Sequence, residues 1–77
     1  MQHPFLLDEL TEIERHVREC ERHILHQRKI VDELERHGRG RTKTAQIARD
    51  ILHSFEIALS NHRSHRTRLV KAQREIV

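Results

Sequence analysis

The chain has 77 residues, 35% of them hydrophobic and 35% charged, with two glycines, one proline and neither tryptophan nor tyrosine. Such a length supports one domain at most, and such a composition suits long solvated helices rather than a thick core. Apolar runs reach only two or three residues, as in Phe5-Leu6-Leu7, which excludes a membrane span because about 20 apolar residues are needed.

At the N-terminus, Met1-Gln2-His3-Pro4 lacks the basic region, long apolar stretch and small-residue cleavage site of a secretory signal. Together with a single cysteine, Cys20, this points to a reducing, cytoplasmic setting. Pro4 suits the first turn of a helix, where its missing N–H would have no intrahelical partner. From there Leu6, Leu10, Ile13, Val17, Cys20, Ile24, Gln27, Val31 and Leu34 recur at alternating steps of four and three, the signature of a heptad seam. The first helix is predicted over about residues 4–36.

His37-Gly38-Arg39-Gly40-Arg41-Thr42 interrupts that pattern, with glycine able to end one helix and threonine able to cap the next. The turn is therefore predicted at about 37–42 and a second helix at about 43–76. Its seam reads Thr44, Ala48, Ile51, Phe55, Ala58, His62, His65, Leu69, Ala72 and Ile76. The expected fold is all-α: one antiparallel, coiled-coil-like hairpin spanning residues 1–77.

Charge agrees with this pairing. Residues 1–37 hold six Lys/Arg and nine Asp/Glu, a balance of −3, whereas residues 38–77 hold nine and three, a balance of +6. An antiparallel arrangement is expected to bring Asp8, Glu9, Glu12, Glu14 and Glu19 beside Arg63, Arg66, Arg68, Lys71 and Arg74. Beside the seams, Leu25, Ile30, Ile47, Leu52 and Leu59 widen the apolar stripe beyond what one partner helix can cover. They are read as a dimer interface that joins two hairpins into a four-helix bundle.

The segment Glu21-Arg22-His23-Ile24 with Gln27 and Ile30, followed by Phe55, His62, His65-Arg66 and Arg68-Leu69, resembles a group of short alphaproteobacterial proteins. The resemblance spans about residues 19–69. It implies a two-helix protein of unassigned function, here with an inter-helix loop about two residues longer and more basic.

Eight histidines are the most unusual feature of the composition. With the turn centred near Gly40, residue i of the first helix faces roughly residue 81 − i of the second, which sets Cys20 near His62 and His16 near His65. His16, Cys20, His62 and His65 then form a candidate Zn²⁺ site of four N/S donors. The competing reading makes His62, His65 and Gln27 polar seam residues that fix register.

Arg39, Arg41 and Lys43 form a basic tip where helix N–H groups favour anions, a candidate anion or nonspecific nucleic-acid contact. Nucleic acid is disfavoured as a partner, because Phe5 and Phe55 are the only aromatics and both lie on apolar faces. No His-Glu-x-x-His, Glu-x-x-His or P-loop motif occurs, and Asp50-x-x-His53 stands alone, so no enzyme activity is expected. The sequence thus points to a small homodimeric interaction or scaffold protein without a cofactor, with a Zn²⁺-binding bundle and a nucleic-acid-associating tip as alternatives.

Overall fold

The computed structural model describes residues 4–76, and the side-chain surroundings of residues 7–75. Two helices, α1 (Pro4–Arg36) and α2 (Lys43–Ile76), pack antiparallel along their length, and no strand occurs among the described residues. Met1 to His3 and Val77 lie outside the described residues, as do the side chains of Phe5, Leu6 and Ile76 that the sequence assigns to apolar faces or seam ends.

The turn is built from hydrogen bonds that local chemistry dictates. Gly38 takes φ +72°, a conformation that an L side chain resists. This lets the Gly38 N–H donate to the Glu35 carbonyl at 3.1 Å and the Arg39 N–H to the Leu34 carbonyl at 2.8 Å. Both ends of a Schellman cap are thereby satisfied. Three residues on, the Thr42 hydroxyl accepts from the Ala45 N–H at 3.2 Å and donates to the Arg39 carbonyl at 2.7 Å. Thr42 is thus the N-cap of α2.

Arg49 secures the reversal from inside α2. Its guanidinium donates to the Gly40 carbonyl and lies 3.5 Å from the Glu35 carboxylate. Gly40 is crowded at this point, since a Cβ there would stand 3.3 Å from Glu35 Cγ and 3.5 Å from Arg49 Nη2.

On α1 the seam is buried as its periodicity requires: Ile13, Val17, Cys20, Ile24, Gln27 and Val31 all face α2. On α2 the phase differs from the sequence reading. The shared positions Ala48, Phe55, His62 and Leu69 are buried or half-buried, but the residues that alternate with them are Ala45, Leu52, Leu59 and Arg66. Thr44, Ile51 and His65 are exposed instead, while Ala58 and Ala72 stay half-buried beside the seam.

Apolar transfer explains the rotation. Facing Leu52 and Leu59 inward buries more hydrocarbon than facing Ile51 and Ala58 inward, and each buried methylene is worth roughly 0.8 kcal/mol. Arg66 accepts the resulting seam position because its aliphatic stem can pack while its guanidinium reaches water.

Gln27 is the one buried polar residue among those described. Its Nε2 donates to the Ala48 carbonyl at 2.8 Å across the seam, next to a side chain small enough to admit it. A one-turn slip would leave this amide buried without its acceptor, which ties the bond to register.

The result is a thin rod of 59 × 14 × 13 Å. Its radius of gyration is 17.2 Å, whereas a compact chain of this length has about 11.5 Å. No large side chain among the described residues is fully buried.

Candidate functional site: two unlike flanks

A two-helix seam has two flanks, and a step of seven residues returns to the same flank on either helix. One flank carries a ladder of ion pairs. Glu21 meets Arg63 at 3.6 Å, Arg28 meets Glu56 at 3.3 Å and Glu35 meets Arg49 at 3.5 Å, each rung seven residues from the next. Signs alternate from rung to rung, so each charge also has an opposite charge two turns along its own helix. Apart from Arg63, the charges that the sequence reading set opposite one another are not those paired across the helices. The net halves are complementary, but contact is decided by heptad position.

Between the first two rungs lies an open groove of about 700 Å³, floored by Ile24 and Leu59 and edged by Leu25, Ser60, Ser64 and Thr67. Leu25 is 68% exposed there. The Thr67 hydroxyl is turned back onto the Arg63 carbonyl at 3.0 Å.

On the other flank the positions next to the seam carry almost no charge. Its α1 positions are Glu9, His16, His23 and Ile30, and its α2 positions are Thr44, Ile51, Ala58, His65 and Ala72. The His23 ring stacks on Phe55 at 5.1 Å between centroids and 14° between planes. Seven residues earlier, His16 meets His62 at 5.2 Å and 46°. Ile51 and Ile47, one turn apart, are 41% and 51% exposed, and Ile30 is half-buried on the same side. An apolar strip near the turn thus gives way to imidazoles towards the open end.

This geometry redistributes the residues assigned to an interface from sequence. Leu59 is buried in the core with Val17, Cys20 and Ile24, and Leu52 packs against that core, so neither faces outward as a dimer contact. The α2 phase is the cause. Leu25 lies on the charged flank, whereas Ile30 and Ile47 share the uncharged one, joined by Ile51, a seam position by spacing alone.

The four proposed metal donors are likewise separated. His16 faces His62 rather than His65, His65 is exposed, and the buried Cys20 thiol packs against apolar side chains in the same core as Leu59. Among the described residues no three His, Cys, Asp or Glu side chains converge to hold a metal. Arg39, Arg41 and Lys43 are exposed at the tip, and Thr42 satisfies one N–H of the helix start.

The net charge of each half does not reveal the ion-pair ladder. It becomes visible once Glu21, Arg28 and Glu35 are read at seven-residue steps against Arg49, Glu56 and Arg63 in reverse order. No helix among the described residues is long and apolar enough to cross a membrane. No protein-family model, curated protein or solved structure matches the chain.

Proposed function

We propose that the chain is a non-enzymatic interaction module that works as a homodimer, two hairpins closing a four-helix bundle through their uncharged flanks. The observation that carries this reading is the contrast between the flanks: ion pairs cover one, while Ile30, Ile47 and Ile51 leave an apolar strip on the other. Interior positions of a bundle take such residues readily, whereas burying Glu21, Arg28, Glu56 and Arg63 would cost several kcal/mol per ion.

Surface area supports a second copy. The hairpin exposes 6284 Å², and a compact monomer of its mass would expose about 5,000 Å². The excess of about 1,300 Å² exceeds the roughly 800 Å² that each partner gives up in a standard interface.

Charge selects the orientation. A twofold axis parallel to the helices lays acidic α1 of one copy over basic α2 of the other, with Glu12 near the level of Arg68. A perpendicular axis would instead set α1 on α1, like charge on like. The parallel axis also overlaps the hairpins along their whole length.

Light scattering on the purified chain tests the proposal. A mass of twice 9.3 kDa is expected, and a stably folded monomer at every concentration would contradict it.

A further inference from the structure

Two half-buried imidazoles meet on the uncharged flank, His16 from α1 and His62 from α2. Their separation matches a chelating pair. Imidazoles bound to one tetrahedral Zn²⁺, with nitrogens about 2.0–2.1 Å from the metal, have ring centroids about 5 Å apart. The observed distance is 5.2 Å, with the rings tilted by 46° rather than stacked.

Glu12 does not supply a third ligand in the same chain. Its Oε2 lies 3.7 Å from His16 Nε2 but is held by Arg15 at 2.7 Å. A single hairpin therefore offers two donors and leaves half of a tetrahedral shell open.

We propose that a second copy completes this shell, so that His16 and His62 of two chains bind one Zn²⁺ ion across the dimer. The inference rests on the dimer proposed above, because a twofold axis parallel to the helices brings the two imidazole pairs to the same level. Four neutral nitrogen ligands suit Zn²⁺, for which imidazole is a preferred donor. The buried Cys20 thiol and the exposed His65 take no part. The ion would sit in the open-end half of the bundle, where the apolar strip has run out, and would tie that half together.

The test combines Zn²⁺ titration by calorimetry with sedimentation of the full chain, before and after metal is added. The expected result is a metal-free dimer that takes up one Zn²⁺ per two chains. His16→Asn and His62→Asn should each weaken binding roughly tenfold or more, with helical circular dichroism retained, because each removes two of four ligands from the shared site. His53→Asn, on a different face, should bind as the unmodified chain does. A dimer that takes up no Zn²⁺, or one whose binding survives His62→Asn, overturns the metal site and leaves the dimer standing. A monomer that binds one Zn²⁺ per chain overturns both.

Discussion

The two flanks of this hairpin share one seam and the same heptad spacing, yet they present opposite chemistry to their surroundings. On the first, Glu21–Arg63, Arg28–Glu56 and Glu35–Arg49 satisfy one another while remaining in water. On the second, Ile47 and Ile51 are exposed and Ile30 is half-buried, and the remaining positions beside the seam are mostly histidine, alanine and threonine. A solvated flank needs charge for solubility but gains little stability from it, since exposed pairs contribute about 0–1 kcal/mol each. An uncharged flank on so thin a rod is different, because it retains apolar area that a second layer of helices would cover.

The seam itself should show the largest effect. Leu59→Ala removes a buried side chain and is expected to cost about 2–4 kcal/mol in urea unfolding. Ile51→Ala, measured in a chain made monomeric by Ile47→Glu, should cost less than about 0.5 kcal/mol because Ile51 borders the seam rather than filling it. Equal losses at the two positions would restore the other helix phase and dissolve the distinction between seam and flank.

The turn-proximal rung comes next. Arg49→Ala removes both the bond to the Gly40 carbonyl and the pairing with Glu35, and should cost about 1–2 kcal/mol in the same measurement. Thr44→Ala, on the uncharged flank at the start of α2, should cost nothing measurable. The smallest effect belongs to the middle rung. Arg28→Glu should lose about 0.5 kcal/mol at low salt, much of it recovered by adding Glu56→Arg, and high salt should erase both changes.

These expectations also show why some features were legible in the sequence and others were not. Gly38, Gly40 and Thr42 mark a helix end and a helix start in any context, so the hairpin follows from local chemistry alone. Gln27 could be read as a register residue because an amide inside an apolar seam needs a partner. The phase of α2 was harder. Ala48, Phe55, His62 and Leu69 belong to either seam, and Ile51, Ala58, His65 and Ala72 complete the pattern as smoothly as Leu52, Leu59, Arg66 and Gln73. Arginine and glutamine look wrong in a seam until the larger hydrocarbon of the two leucines is weighed against them.

That ambiguity propagated to the candidate site. Turning α2 by one position moved Leu52 and Leu59 inward, released Ile51 to the flank, and exchanged His65 for His62 as the neighbour of His16. The ion-pair ladder depends on the same phase, which is why the net charge of each half suggested attraction without revealing its rungs.

Sedimentation of two single variants, Ile51→Glu and Leu25→Glu, tests the division of labour between the flanks most directly. Both side chains are solvent-exposed in the hairpin, at 41% and 68%, so neither substitution should disturb its helices. If the uncharged flank is the dimer face, Ile51→Glu yields folded monomers while Leu25→Glu remains a dimer. Monomers from Leu25→Glu beside an intact Ile51→Glu dimer would contradict the account.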